Sequence, residues 1–255
     1  MFGFIVRRIL WIIPILLFIS MVTFTMMHLV PGNPFDADAD KPLPPQVLEQ
    51  LNKHYHLDEP VYIQYFRYMG DALQGKLGPS YAYLNRTVNE MIAEGFPISF
   101  QLGVYAMVLA LLIGIPLGII SALRQNTLVD YCAMFFAVSG VSIHTLAMAP
   151  FVIWIFALEL GWFPVARWGT WQHAILPATV LAVRAAALIA RLTRASMLQV
   201  IHEDYIRTAR AKGVSEKRIV IHHALRNALI PIITIIGPLF AGLISGSLIV
   251  EKMFA

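Results

Sequence analysis

Five long apolar runs constrain this chain more than any other feature of its sequence. An α-helix crosses a bilayer core of about 30 Å with roughly 20 mostly apolar residues, and each run reaches that length. With 58% hydrophobic and only 13% charged residues, the 255-residue chain lies outside the range of soluble domains. The sequence therefore predicts an all-α polytopic membrane protein. Its five predicted spans are about Ile9–Val30, Ile98–Leu123, Ala133–Leu160, Ala174–Leu198 and Ile219–Val250.

The basic residues predict how these spans are oriented. Arg7 and Arg8 precede the first run, which is longer than the apolar core of a signal peptide and lacks a small-residue cleavage site. With the N-terminus in the cytoplasm, the inner flanks carry eleven of the nineteen Lys and Arg residues. Residues 31–95, on the outer side, hold five basic against nine acidic residues. The positive-inside rule therefore predicts a retained first span and a cytoplasmic N-terminus.

The outer segment, residues 31–96, is too long and too regularly patterned to be a plain linker. Apolar stripes predict two short helices in it, formed by Val47, Leu48, Leu51 and Tyr55 and by Tyr62, Phe66, Met69 and Leu73. The second of these helices begins at Pro60, and a third begins at Thr87, which has capping-box spacing with Glu90. The segment is either a lid over the outer ends of the spans or a docking surface for an external partner.

Two pairs of glycines in the spans have the spacing that lets helix backbones approach closely. Gly114 and Gly118 lie in the second span, and Gly242 and Gly246 lie in the fifth. Each pair is interpreted as ordinary packing within the bundle, with a subunit interface as the alternative.

Arg184 is a charged residue in the middle of a predicted span. It lies ten residues before Arg194, hence about 15 Å deeper along the fourth helix. An arginine at that depth costs around 2.5–3.5 kcal/mol on insertion scales, so it is expected to face a cavity, a polar partner or another subunit. We interpret Arg184 as a candidate lining residue of a substrate pathway. A structural ion pair or a contact with a helix dipole is the alternative.

Motifs of enzymes and metal sites are absent from the sequence. His202 and Glu203 begin like a zinc-protease motif, but Ile206 stands where the second histidine is needed. No nucleotide-binding glycine loop, nucleophile elbow or Cys-x-x-Cys pair is present. The sequence therefore predicts no catalytic residue and no metal ligand in this chain.

The loop between the fourth and fifth runs, residues 203–226, is basic and amphipathic. Its first part has a helical pattern, Gly213 suits the position after a helix end, and Ser215 with Glu216 suits the start of the next helix. These features predict a helix-turn-helix knuckle. It is either a basic interfacial loop that obeys the positive-inside rule or a short rigid lever that fits a groove on a cytoplasmic protein.

The order of residues in this loop resembles a known family. The run from Asp204 to Gly213 and the segment His223–Asn227 resemble the coupling loop of binding-protein-dependent ABC importer permeases of the peptide branch. Two further stretches agree, Leu29–Pro34 and Arg191–Leu198. The candidate ATPase-coupling residues that the resemblance implies are Asp204, Tyr205, Arg207, Thr208, Ala209, Arg210, Ala211, Lys212 and Gly213.

The resemblance also implies a fold, a location and a set of partners. It implies a type I ABC importer permease in a bacterial inner membrane, paired with a second homologous permease subunit. Two cytoplasmic ATPase subunits would bind the coupling loops, and an external solute-binding protein would deliver a peptide substrate. ATP and Mg²⁺ would be bound by the ATPases, so this chain would need no cofactor of its own. Its remaining partner is the lipid bilayer, and nucleic acid is not expected.

The outer segment narrows the substrate class. Its part from Leu43 to Tyr81 is similar to the B-type permease subunit of oligopeptide importers, which implies oligopeptides as substrate and makes Arg184 a candidate contact for a peptide carboxylate. Dipeptide, nickel and glutathione importers are near neighbours and stay open. A secondary transporter is the alternative in another class. It would need ion-coupling residues inside the spans, where only Arg184 stands, with Glu159 near an edge.

The chain departs from the wider family's pattern in three places. Arg207-Thr208-Ala209 replaces Glu-Ala-Ala, and Arg226 replaces a proline. The family also continues beyond residue 255 into a proline-glycine turn and a sixth span, so a partial chain with five of six spans is expected. We divide it into an N-terminus with the first span (1–30), an external segment (31–96) and a core permease domain (97–255).

Overall fold

The computed structural model describes residues 2–29, 49, 56–80, 83, 86–164 and 169–254. Within these ranges, every regular element longer than a single bridged residue pair is a helix. The prediction of an all-α membrane protein is therefore confirmed. Two π-helical segments, Ile153–Glu159 and Ile219–Ala224, interrupt the α-helical order. The α-helices are α1 (Phe2–Leu29), α2 (Val61–Leu73), α3 (Val88–Leu123), α4 (Leu128–Ser142), α5 (Thr145–Val152), α6 (Trp171–Ile201), α7 (Asp204–Ala211), α8 (Glu216–Arg218) and α9 (Leu225–Met253).

Four helical stretches in the described part of the chain are long and apolar enough to cross a membrane. They are Gly3–Leu29, Val88–Leu123, Trp171–Ile201 and Glu216–Met253, the last running through α8, a π-helical segment and α9. Each of the four contains or closely overlaps a predicted span. Hydropathy alone therefore located four of the five predicted spans.

The third predicted span, Ala133–Leu160, is wrong as a single continuous helix. The chain forms Leu128–Ser142 and Thr145–Glu159 instead, and the two parts are bent by 106°. The break arises because Ile143 and His144 adopt extended backbone angles, with ψ of 122° and 139°. The His144 Nδ1 atom then accepts a hydrogen bond of 3.3 Å from the Leu146 N–H and caps α5. This pair supplies a fifth crossing only if it is counted as one bent span.

The chain forms two compact units, and the first comprises residues 1–95. In it α1 contacts α2 through a hydrogen bond of 2.9 Å between the Ser20 and Tyr65 hydroxyls and one of 3.1 Å between His28 and Gln64. The stripe at Val47–Tyr55 and the motif after Leu29 lie outside the described residues, Glu49 excepted.

The predicted starts of the second and third outer helices are close to those observed. Pro60 is the N-cap residue of α2, so the helix begins at Val61, one residue later than predicted. The capping box at Thr87 is confirmed, because the Thr87 N–H donates to Glu90 Oε2 at 3.0 Å and the Glu90 N–H donates to Thr87 Oγ1 at 3.2 Å. The third outer helix is not separate, however, since α3 continues through Pro97 to Leu123 as one helix.

The second unit, residues 96–255, is built around α6. Its small side chains let α3 approach closely: a Cβ added to Gly118 would lie 2.6 Å from the Ala190 carbonyl oxygen, and one added to Gly114 would lie 2.7 Å from that of Ala186. Packing within the bundle therefore explains the first glycine pair. A Cβ on Gly242 would meet no atom of the described residues within 4 Å, and one on Gly246 would lie 4.0 Å from Leu181 Cδ2, so the second pair makes no comparably close approach in the described part of the chain.

Candidate functional site

Helix α7 forms the first half of the predicted knuckle. Glu203 has extended angles, with φ −67° and ψ 147°, and its carbonyl accepts hydrogen bonds from the N–H groups of Ile206 (3.0 Å) and Arg207 (3.3 Å). Asp204 in the first turn and Arg210 in the last complement the helix dipole. The helical pattern predicted for the first part of the loop is therefore confirmed, as the helix Asp204–Ala211.

Gly213 ends α7 in a left-handed conformation with φ +77°. The Gly213 N–H donates to the Arg210 carbonyl at 2.9 Å, and the Val214 N–H donates to the Ala209 carbonyl at 3.2 Å. These two bonds form a Schellman motif, in which glycine after the helix end is favoured because it has no Cβ. The predicted position of Gly213 is confirmed.

The inner face of α7 anchors the knuckle to the ends of the long helices. Ile206 is fully buried and Ala209 is 9% exposed. Both belong to an apolar cluster with residues of α3, α6, the second π-helical segment and α9, which are Ala122, Met197, Ile219, Ala224 and Ala228. The knuckle is therefore packed on the bundle and does not hang free as a loop.

Polar contacts hold the two sides of the turn together. The Arg210 guanidinium donates from Nε to Glu216 Oε1 at 2.8 Å, which joins the end of α7 to α8 across Gly213. The Asn227 amide donates to the Tyr205 hydroxyl at 2.7 Å, which joins the start of α7 to α9. These exposed contacts fix the geometry of the turn but contribute little to the stability of the fold, since a surface pair contributes about 0–1 kcal/mol.

The outer face of the knuckle presents most of the predicted coupling residues to solvent. Eight of the nine are exposed, and Ala209 alone faces inward. Arg207, Arg210 and Lys212 make this face basic, while the glutamate that the wider family places near its start is absent. The arrangement suits docking against an acidic or polar groove. Among the described residues, no group of three or more His, Cys, Asp or Glu side chains could hold a metal ion.

An ion pair between the buried Asp130 and the partly buried Arg194 was not predicted from the sequence. Asp130 in the first turn of α4 is 2% exposed and accepts two hydrogen bonds from Arg194 in α6. It also accepts from the Ser121 hydroxyl in α3 and, at 3.0 Å, from the Asn126 backbone N–H. One carboxylate thus joins α3, α4 and α6. Arg194 was interpreted only as a cation of the inner flank, and no local pattern relates it to a residue 64 positions away.

Arg184 lies near the midpoint of α6 and lines a cavity of about 460 Å³. Its side chain is exposed in the cavity wall and makes no hydrogen bond or ion pair with any described residue. The opposite wall is contributed by α9, including Pro238, Gly242 and Gly246, and the remaining wall by the break between α4 and α5. Arg184 thus lines a cavity and forms no ion pair with the described residues, and its role in a substrate pathway stays a prediction.

Comparison with known proteins relates this geometry to a family. Residues 114–255 match the family described as the binding-protein-dependent transport system inner membrane component, and residues 1–103 match the N-terminal part of such membrane components.

Three relatives illustrate the similarity. The oligopeptide transport system permease of Salmonella typhimurium is 43% identical over all of this chain and 83% of its own length. The dipeptide transport system permease of Bacillus subtilis is 45% identical over 94% of this chain and 77% of its own length. The glutathione transport system permease of Shigella flexneri is 41% identical over all of this chain and 83% of its own length.

Proposed function

The chain belongs to the family of binding-protein-dependent transport system inner membrane components, and on that basis we propose that it is a permease subunit of an ATP-driven importer of oligopeptides. A second permease subunit would complete the translocation pathway. Two ATPase subunits would bind ATP and Mg²⁺ and hydrolyse the nucleotide, and an external binding protein would deliver the peptide. The N-terminus and the loop at 203–226 would face the cytoplasm.

The anchoring of the knuckle is the observation that carries this proposal. Its inner face, centred on Ile206, is packed on the ends of three long helices, α3, α6 and α9, while its outer face is exposed and basic. A free loop would absorb a push from a docked protein through its own flexibility. A packed knuckle would pass the same push to α6 before it and α9 after it.

Alternating access is the mechanism that we propose on this arrangement. Closure of the ATPase pair on ATP would move the knuckle, and α6 and α9 would carry that movement along their length to the opposite side of the membrane. The bundle would then alternate between two arrangements, one open to each side of the membrane. Nucleotide and the loaded binding protein would each shift the equilibrium between these two states. Arg184, near the middle of α6, would line the pathway that opens and closes.

Oligopeptides are the proposed substrate for two reasons. The relative named for oligopeptide transport matches the whole of this chain, as the relative named for glutathione does, and the outer segment adds the residues that suggested oligopeptides. The relatives named for dipeptides and glutathione also transport peptide-like molecules according to their names, so the class is the same. Size selection within the class would then reside largely in the external binding protein.

The test is reconstitution of the complete transporter in liposomes with its binding protein and a labelled oligopeptide. Uptake should require ATP on the side of the liposome membrane where the ATPase subunits are bound. It should persist when the ion gradient is collapsed. Co-purification of the chain with two ATPase subunits should accompany it. Uptake that stops on collapse of the gradient and ignores ATP would instead identify a secondary transporter and overturn the proposal.

A further inference from the structure

The break between α4 and α5 places a cavity where a membrane helix would otherwise be continuous. Ile143 and His144 are extended, and His144 and Thr145 line the cavity together with Arg184. Non-helical backbone at membrane depth is tolerated only where it is buried in protein or lines an aqueous cavity. The volume of the cavity beside Arg184, about 460 Å³, lies within the range of about 300–1,000 Å³ that is typical of ligand sites.

The cavity contains one cation for which the described residues provide no counter-charge. Arg184 makes no ion pair or hydrogen bond with them, although its helix is otherwise mostly buried. The same helix pairs Arg194 with a buried carboxylate, so the fold supplies a partner for that arginine and none for Arg184 among the described residues. A guanidinium at this depth gains most from a planar anion that accepts two parallel hydrogen bonds.

His144 offers a second donor in the same wall. Its Nδ1 atom accepts the hydrogen bond from the Leu146 N–H, so in the neutral ring the proton is carried by Nε2. A ring in this tautomer can donate to an anion without being charged. Leu181, Leu188 and Leu239 add apolar side chains to the same lining.

We propose that this cavity is a subsite for the C-terminal carboxylate of the translocated peptide, held by Arg184 and supported by His144. This inference rests on the proposed function and adds the part of the substrate that the chain recognises. A terminal carboxylate is present on every peptide whatever its side chains are. Recognition of the terminal carboxylate therefore gives the pathway one fixed contact with every peptide. It does not restrict the amino-acid sequence of the peptides that are transported.

The experiment compares two forms of one peptide, tetra-alanine with a free C-terminal carboxylate and tetra-alanine C-terminal amide. Initial uptake rates are measured in the reconstituted complex at saturating loaded binding protein. The preference is the ratio of the two rates. Because the same binding protein serves every variant, its own preference cancels when this ratio is compared between wild type and variant.

Arg184→Gln should lower the preference for the free acid by about tenfold to a hundredfold, the range for a hydrogen bond to a charged group. Arg191→Gln is the matched control. It removes the same charge from an exposed position about two turns along the same helix, outside the cavity, and should leave the preference at the wild-type value. An unchanged preference in Arg184→Gln overturns the proposal, as does a wild-type complex that does not distinguish the two peptides.

A second variant covers the case in which Arg184→Gln fails to assemble. Arg184→Lys keeps the charge but loses the two-pronged geometry, so it should assemble and show a severalfold weaker preference. Full assembly with an undiminished preference would assign Arg184 to a counter-charge on a neighbouring subunit and overturn the subsite. Absence of any ATP-dependent peptide uptake in wild type would instead count against the proposed function itself.

Discussion

Arg194 binds Asp130 through two parallel hydrogen bonds, from Nε to Oδ1 and from Nη2 to Oδ2, each 2.7 Å long. The carboxylate is almost completely buried, and α3 and the turn before α4 also donate to it. A buried ion pair of this geometry is costly to break from one side, because the remaining charge keeps no partner.

We therefore expect Arg194→Met to lower the stability of the complex by about 3–5 kcal/mol. The double variant Arg194→Met with Asp130→Asn should lose clearly less than the sum of the two single changes, since it leaves no unpaired charge. Thermal unfolding of the purified complex in detergent measures both. Arg191→Met, an exposed arginine on the same helix, is the control and should change little. Additive losses in the double variant would contradict the coupling.

At position 213, a substitution should be tolerated if the new residue readily adopts left-handed backbone angles. The size of its side chain should matter little. The φ of Gly213 is +77°, and a Cβ there would meet no described atom within 4 Å. Asparagine adopts left-handed angles readily, whereas a β-branched residue does so at a cost of about 1–2 kcal/mol. Gly213→Asn should keep uptake close to wild type, and Gly213→Val should lower the peptide transported per ATP hydrolysed. Equal coupling in both variants would show that the turn does not matter.

Ile206 should determine how firmly the knuckle is held. It is fully buried, and truncation of a buried isoleucine to alanine costs about 2–5 kcal/mol. Ile206→Ala should therefore accelerate tryptic cleavage of the purified complex at Arg207, Arg210 and Lys212. Thr208→Ala, which removes only an exposed hydroxyl bonded to the Asp204 carbonyl, is the control and should cleave at the wild-type rate. The same slow cleavage in Ile206→Ala would mean that the inner face does not anchor the knuckle.

Substitution of Gly118 by alanine should destabilise the complex, whereas the same substitution at a glycine without close neighbours should not. The new Cβ at position 118 would lie 2.6 Å from both the Ala190 carbonyl oxygen and the Thr193 Cβ, so α3 and α6 must move apart. Overpacking of this kind costs about 1–3 kcal/mol. Gly237→Ala in α9 meets no described atom within 4 Å and should be neutral or slightly stabilising, because alanine favours helix. The melting temperatures of the two complexes test the difference, and an unchanged value for Gly118→Ala would exclude the close approach.

Much of the fold could be predicted because it depends on local or periodic signals. Hydropathy located the long helices, and the capping box at Thr87 and the left-handed Gly213 followed from residue type and spacing. The break at Ile143 and His144 was missed, since an extended backbone within an apolar run leaves the mean hydropathy unchanged. The pair Asp130 and Arg194 was missed because only the packed bundle brings residues so distant in sequence together.

The candidate site divides in the same way. The exposed residues of the knuckle were predicted from sequence order, whereas Ile206, which holds them in place, was not among them. Arg184 was recognised by the cost of a charge at membrane depth, but its neighbour His144 carries no such signal. Its position in the cavity depends on the bend of the third crossing, which only the structure reveals.

The close approach of α3 to α6 has a consequence for how the two helices can slide. A Cβ on Gly114 or Gly118 would lie within 2.7 Å of the carbonyl oxygen of Ala186 or Ala190. A shift of α3 along α6 by four residues, about 6 Å, would bring Ala122 to Ala190 or Ala110 to Ala186, and each alanine carries the Cβ for which this crossing has no room. The two glycines therefore hold α3 and α6 in a single register and oppose sliding of one helix along the other.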